Sequence, residues 1–187
     1  MAIEPNDAME LAVVSSPLQS HAVRIPANAD LVPSLLEAAH QAMQHSKAQS
    51  AFVMTAVGSL STVTLRMAAT DKQEPRSSKK RKAQDEGVSL AGSTALQVKT
   101  FPNHFEIVSL VGTFSKGGGK HLHMSVSNAQ GQVLGGHLVG GKVFTTLELV
   151  LGTMPGVAFT REMDEISGYK ELVVKPQQDT NSAEEKN

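Results

Sequence analysis

The sequence predicts a single α+β domain in which a mainly antiparallel β-sheet is flanked by one or two helices. Its length of 187 residues suits one domain with appendages. Most of its apolar segments are short, rich in β-type residues and separated by turn residues, among them many of the 15 glycines. One segment near the N-terminus instead repeats apolar residues at the spacing of a helix.

The N-terminal part contains the first predicted strand and the predicted helix. Residues 1–16 are mixed in character, and we expect a flexible arm before a domain that spans residues 17–175. The segment from Leu18 to Ile25 alternates as a strand does. Apolar residues run at helical spacing from Leu31 to Met43, with Asp30 placed as an N-cap. We expect this helix to end near Ser46.

Two β-type segments come next, and a polar segment interrupts the domain after them. Residues 51–57 and 61–67 flank Gly58 and Ser59, so we interpret them as a β-hairpin or as two adjacent strands. Residues 71–87 combine Pro75 with many charges and have no large apolar side chain. Such a segment buries too little apolar surface to offset the entropy of ordering, which predicts a flexible insertion.

The remaining segments predict a series of antiparallel strands with short connections. Five lie at 94–101, 104–114, 120–127, 133–139 and 142–151, although the last also fits a helix. We expect residues 128–131 to form a tight turn, and Gly140 and Gly141 to break the sheet between the last two strands. Closing strands follow at 159–161 and 170–174, and residues 176–187 are a polar tail that we expect to be disordered.

Three of the seven histidines, His121, His123 and His137, fall within these predicted strands. Side chains two residues apart on a strand share a face, which places His121 and His123 about 7 Å apart. A return strand carrying His137 beside them brings a third imidazole to the same place. Three imidazoles with an open fourth position are a ligand set of catalytic zinc sites, and nickel or iron are alternatives. The chain contains no cysteine, which excludes thiolate ligands.

The predicted insertion carries a concentrated positive charge. Six Lys or Arg residues and one acid lie between residues 72 and 82, including the run Lys79, Lys80, Arg81 and Lys82. A charge run is commonly a solvated loop. This one also has the form that nuclear import receptors bind, and it could contact DNA phosphates without reading sequence.

Composition excludes several classes of protein. A net charge of −1 and a pI near 6.7 argue against a protein that binds nucleic acid with its whole surface. No apolar stretch reaches membrane-spanning length, and the first residues lack the basic-then-apolar order of a signal peptide. We therefore expect a soluble intracellular protein with no membrane partner.

Four segments together resemble a known family, the plants-and-prokaryotes-conserved domain. They are the stretches 105–114, 121–126, 131–138 and 159–172. The resemblance implies an antiparallel sheet flanked by helix and assembled as a homotrimer. Plant members are nuclear AT-hook proteins whose domain mediates self-association and contacts with transcription factors. Bacterial and archaeal members are usually described as predicted DNA-binding proteins, and many carry a histidine trio.

The resemblance also sets limits on what can be transferred. No Arg-Gly-Arg-Pro hook occurs in the sequence, so minor-groove binding of the plant type is not implied. His121, His123 and His137 are present where plant members generally lack them, as in the prokaryotic type of domain. The family fold is similar to that of acetolactate decarboxylase and of a zinc-dependent ester hydrolase, which are both built round three zinc-bound histidines.

Two functions remain open at this point. The first, which we favour, is a trimeric DNA-associated regulator without enzymatic activity, nuclear if the source is eukaryotic and otherwise cytoplasmic. Its partners would be other copies of the chain, DNA, transcription factors and import receptors. The second is a zinc-dependent hydrolase or lyase that acts on a small carbonyl or carboxylate substrate. Glu106, on the strand before the histidines, is its candidate acid–base group, or else a structural or subunit-interface carboxylate.

Overall fold

The structure, a computed structural model, describes residues 13–68 and 97–178. These residues form one helix and seven strands, which confirms the α+β class with mostly antiparallel pairing. The elements are β1 (Gln19–Pro26), α1 (Leu31–Ser46), β2 (Ser50–Arg66), β3 (Val98–Ser115), β4 (Lys120–Ser127), β5 (Val133–Thr153), β6 (Val157–Met163) and β7 (Lys170–Pro176). The predicted insertion at 71–87, most of the arm and most of the tail lie outside the described residues. In the described part of the chain, no helix has the length and apolar character needed to span a membrane.

The main sheet curls until it meets itself. Its strand order is β1-β5-β2-β3-β4, and β4 also pairs with β5. The 21 residues of β5 make this possible, because the C-terminal part pairs with β1 and β2 while the N-terminal part pairs with β2 and β4. The four strands β5, β2, β3 and β4 therefore form a closed ring, with alternate side chains inside and outside.

The core lies inside this ring and under α1. The helix buries one side, including Leu31, Leu35, Ala39 and Met43, and packs mainly on β5. Asp30 occupies the N-cap position as predicted, but its side chain makes no capping hydrogen bond. Most inward side chains of the ring are apolar, and the following are almost fully buried: Leu60, Val63, Leu65, Phe114, Leu122, Met124, Val126, Leu138, Val143 and Leu147.

The predicted hairpin around Gly58 is wrong, because residues 50–66 form one continuous strand. Gly58 has a φ of 148°, and a Cβ built on it would lie 2.2 Å from the carbonyl oxygen of Thr146 on β5. The pairing with β5 shifts register between Gly58 and Leu60. The glycine therefore marks a bulge where the strand bends against its neighbour, and the chain does not reverse there.

Two other predicted breaks are also absent. Residues 98–115 form one strand through Pro102, and β5 runs without interruption through Gly140 and Gly141. A Cβ on Gly141 would lie 2.7 Å from the carbonyl oxygen of Thr62, so this glycine allows close approach to β2. A sheet that closes on itself needs bends of this kind, which the sequence pattern does not distinguish from turns.

The predicted closing strands are confirmed as a separate hairpin, β6–β7. Its turn is held by the Asp164 carboxylate, which accepts hydrogen bonds from the backbone N–H of Ile166 and Ser167 at 2.8 and 2.6 Å. Arg161 on β6 donates to Thr113 Oγ1 on β3 at 3.0 Å. The hairpin thus lies against the main sheet near the start of β4.

Replacing Gly58 by Ala should lower the free energy of unfolding by about 2–3 kcal/mol, because strain at positive φ and the clash with Thr146 add. Urea denaturation at fixed protein concentration measures the change. Gly117→Ala is the matched control, because nothing lies within 4 Å of its built Cβ. We expect the control to stay within about 0.5 kcal/mol of the wild type. Equal effects of the two substitutions would contradict the bulge.

Candidate metal centre

The β4–β5 ladder brings His123 and His137 opposite each other as register partners. The turn between the strands determines this register. Asn128 Oδ1 accepts hydrogen bonds from the backbone N–H of Gln130 and Gln132 at 3.0 and 2.9 Å. This local bonding of an Asn side chain to the following backbone defines a tight turn, which confirms the one predicted at 128–131.

The three histidines form a compact cluster outside the ring. The separations between ring centroids are 5.0 Å for His121 and His123, 5.2 Å for His121 and His137, and 5.4 Å for His123 and His137. One candidate ligand nitrogen from each lies within 4.8 Å of the others. The predicted convergence of the three side chains is therefore present.

Two of the histidines are kept neutral by their surroundings. Burial, followed by the nearby Arg66 guanidinium, lowers the pKa of His137 to about 4. Partial desolvation, followed by the neighbouring His123, lowers the pKa of His121 below its ordinary value of 6.5. Neutral imidazole is the form that binds metal ions, so a lowered pKa at these two side chains favours metal binding.

The residues fit a bound metal ion. His137 Nδ1 is buried and has no hydrogen-bond partner, which costs free energy unless something else satisfies it. The Nε2 atoms of His121 and His123 face each other at 3.1 Å, so one of them must carry a proton when no ion lies between them. A divalent ion at the cluster would bind one nitrogen from each of the three imidazoles, and three such ligands leave it an open position.

A cleft of about 760 Å³ lies beside the cluster, between the main sheet and the β6–β7 hairpin. His121 and His137 form part of its wall. Its charged residues are the cations Arg66, Lys120, Arg161 and Lys170 and the single acid Glu171. Glu171 also lines a smaller hollow with His121 and His123.

Sequence reasoning did not identify Arg66, Arg161 or Glu171 as site residues. Arg66 ends β2 directly opposite His137 on β5. Arg161 and Glu171 belong to the closing segment that carried the family resemblance, but they reach the cluster only because the β6–β7 hairpin packs on the sheet. The resemblance of this closing segment to the family was therefore the available sequence signal for Arg161 and Glu171, but their position beside the histidines depends on long-range packing.

The structure does not bring Glu106 to the histidines within the chain. Glu106 is exposed and pairs with Ser127 on β4, four residues beyond His123. At 3.3 Å per residue that separation is about 13 Å. Glu106 does lie on the strand that pairs with β4, but the residues of that strand opposite His121 and His123 are Thr113 and Val111. The other predicted contact residues, Lys79, Lys80, Arg81 and Lys82, lie outside the described residues.

Comparison with solved structures finds the same fold in several prokaryotic proteins. A hypothetical protein from Salmonella cholerae-suis is 30% identical, with a TM-score of 0.68 over 88% of this chain and 99% of the other. The metal-containing protein AF0104 from Archaeoglobus fulgidus is 20% identical, with a TM-score of 0.63 over 87% and 99%. A candidate DNA-binding protein from Bacteroides thetaiotaomicron is 18% identical, with a TM-score of 0.58 over 85% and 93%.

Comparison with curated sequences and with family patterns gives a consistent result. The bifunctional protein GlmU of Synechococcus sp. (strain JA-2-3B'a(2-13)) is 36% identical over 129 residues, which cover 68% of this chain but only 16% of that protein. The Plants and Prokaryotes Conserved (PCC) domain matches residues 13–155. That match covers both the helix and the strands that carry His121, His123 and His137, and the chain belongs to the PCC domain family.

Proposed function

We propose that this protein is a DNA-associated regulatory protein that self-associates as a homotrimer and holds a divalent transition metal on His121, His123 and His137. Membership of the PCC family supports the DNA-associated role, together with the structural neighbour from Bacteroides thetaiotaomicron, which is described as a candidate DNA-binding protein. The metal site is carried by the convergence of the three imidazoles.

Zinc is the metal that suits these ligands best. Neutral imidazoles are borderline nitrogen donors that zinc accepts readily, and nickel or iron are the alternatives. The Archaeoglobus fulgidus neighbour, named a metal-containing protein, adds support. A bound zinc ion would supply an electrophilic centre beside the cleft.

Exposed apolar side chains support self-association. On the paired strands β2 and β3, Met54, Val57, Val108 and Val111 are between 45% and 57% exposed. The inward positions of the same strands are nearly fully buried, so these residues belong to the outer surface. An apolar patch on the outside of a sheet is typical of a protein–protein interface. Glu106 lies on the same exposed surface, which agrees with its alternative role as a subunit-interface carboxylate.

The basic run from Lys79 to Lys82 is the proposed contact with DNA phosphates. A single short basic run binds duplex DNA weakly, but three copies in a homotrimer would raise the effective local concentration of the contacts. In a eukaryotic host the same run would bind import receptors and direct the protein to the nucleus, where transcription factors are the expected partners. In a prokaryotic host the protein would act in the cytoplasm.

A zinc-dependent hydrolase or lyase is the second candidate function. The observation that favours it is the cleft of about 760 Å³ beside the histidines, which holds a carboxylate, Glu171. Glu171 replaces Glu106 as the group placed to move a proton for a small carbonyl or carboxylate substrate, because it shares a hollow with His121 and His123. Turnover of a simple aryl ester that is lost on chelation would favour this candidate.

Replacing His123 by Ala should weaken zinc binding by at least about 100-fold, because loss of a direct ligand exceeds the 10–100-fold cost of losing an outer hydrogen-bond partner. Metal content of the purified protein, measured by elemental analysis, should fall from near one zinc per chain to a trace. His45→Ala is the control, because His45 is exposed on α1 and outside the cluster. Equal zinc content in the two variants would contradict the metal site.

Exchanging Lys79, Lys80, Arg81 and Lys82 for Gln should weaken binding to a 30-base-pair duplex by at least about 10-fold in 50 mM salt. Each lost phosphate contact should also reduce the slope of log affinity against log salt by about 0.9. Fluorescence anisotropy measures both the affinity and its salt dependence.

Native mass spectrometry of the same sample tests the homotrimer, and the mass should correspond to three chains.

The control for DNA binding removes the same amount of positive charge from four lysines outside the basic run. Lys47, Lys99, Lys116 and Lys142 are all exposed, and their exchange for Gln should change the salt dependence much less. The DNA-associated role fails if the wild type shows no binding in 50 mM salt, or if the two sets of exchanges have equal effects.

A further inference from the structure

The cleft beside the histidines has an unbalanced positive charge. Four cationic side chains and one carboxylate line it. The proposed divalent metal would add two further positive charges. Its imidazole ligands would carry no negative charge to offset them. Unbalanced charge at a partly enclosed surface attracts counter-ions, and the low local dielectric strengthens that attraction.

Arg66 and Arg161 are the two cations placed to bind a ligand specifically. Each is half-buried, one at the end of β2 and one on β6. The ion pair found in residues 13–68 and 97–178 joins Lys175 to Glu162, so neither guanidinium is neutralised by a carboxylate of that part of the chain. Arg161 donates one hydrogen bond to Thr113 and keeps four further N–H donors.

The single acid of the cleft does not neutralise these guanidinium groups. The Glu171 carboxylate accepts a hydrogen bond from the Ser167 hydroxyl at 2.9 Å, within the β6–β7 hairpin. That bond links Glu171 to its own hairpin, and no ion pair joins it to Arg66 or Arg161 among the described residues. The guanidinium donors are therefore available to an anion from solution.

The two arginines and the histidines line the same cleft. Arg66 lies directly opposite His137 in the pairing of β2 with β5, and Arg161 lines both the cleft and the smaller hollow that contains His121 and His123. An anion in the cleft would therefore lie close to both guanidinium groups and to the histidine cluster. The negative charge of the anion would be offset by the guanidinium groups on one side and by the proposed metal on the other.

We propose that this cleft binds a small oxyanion, a carboxylate or a phosphate, between Arg66 and Arg161 and next to the metal position. The proposal rests on the metal site proposed above. The planar guanidinium fork matches two oxygens of a carboxylate or phosphate group, which Lys cannot do. A volume of about 760 Å³ is within the ordinary range for small-molecule sites. The bound oxyanion would offset the charge of the metal.

Isothermal titration of the zinc-loaded full-length protein tests the proposal, with succinate and inorganic phosphate as separate probes. At least one should bind with a dissociation constant of millimolar or lower. Arg161→Gln and Arg66→Gln should each weaken that binding by about 10-fold or more, since each removes charged hydrogen bonds. Tighter succinate binding would identify a carboxylate ligand, and tighter phosphate binding a phosphorylated one.

The matched control is Arg24→Gln, which removes an exposed arginine on β1 outside the cleft and should leave anion binding unchanged. Arg161→Lys retains the charge but loses the fork, and should give an intermediate affinity. Zinc content measured on every sample separates the two proposals. Full zinc occupancy with no anion binding, or with equal binding in all three Gln variants, would overturn the oxyanion site and leave the metal site intact. Absence of zinc from the wild type would overturn the metal site itself.

Discussion

The pairing of β4 with β5 is the constraint on which the rest of the structure depends. This ladder closes the ring of four strands, and its register sets His123 directly opposite His137. A slip of one residue would turn every side chain of β4 to the other face, burying the histidines and exposing Leu122 and Met124. Since Leu122 and Met124 are almost fully buried, apolar packing inside the ring and the position of the imidazoles outside it enforce the same register. Fold stability and metal-site geometry are thus coupled through one ladder.

Local sequence patterns predicted the elements that depend on local physics. The helical spacing of Leu31, Leu35 and Met43 defined α1, and alternation with a polar turn defined β4 and the start of β5. The histidine cluster followed from the same reasoning, because two of its members lie on one strand and the third lies beyond a tight turn. Gly58 and Gly140 were read as ends of strands because a bulge and a turn use the same residue types. Only contact with the neighbouring strand decides between them.

The chemistry around the histidines was not accessible from local patterns. Arg66 and Arg161 lie far apart in the chain, and Glu171 is on a hairpin that forms no part of the ring. Glu106 was proposed because it lies on the strand before the histidines, but the residues of that strand opposite the two histidines of β4 are Val111 and Thr113. The result is a site with three imidazole ligands and a surplus of cationic side chains around them. An oxyanion bound in the cleft would offset the charge of the proposed metal, and it would give small molecules a route to control the proposed DNA-associated role.

Convergence of three imidazoles on one ion is the central claim, and X-ray absorption at the zinc edge tests it most directly. Measured on the zinc-loaded protein, the spectrum should show three imidazole nitrogens at about 2.0–2.1 Å and a fourth ligand of oxygen type. The His123→Ala protein should show no such site. A spectrum of the wild type with fewer than three imidazole ligands, or one unchanged by the substitution, would contradict the account.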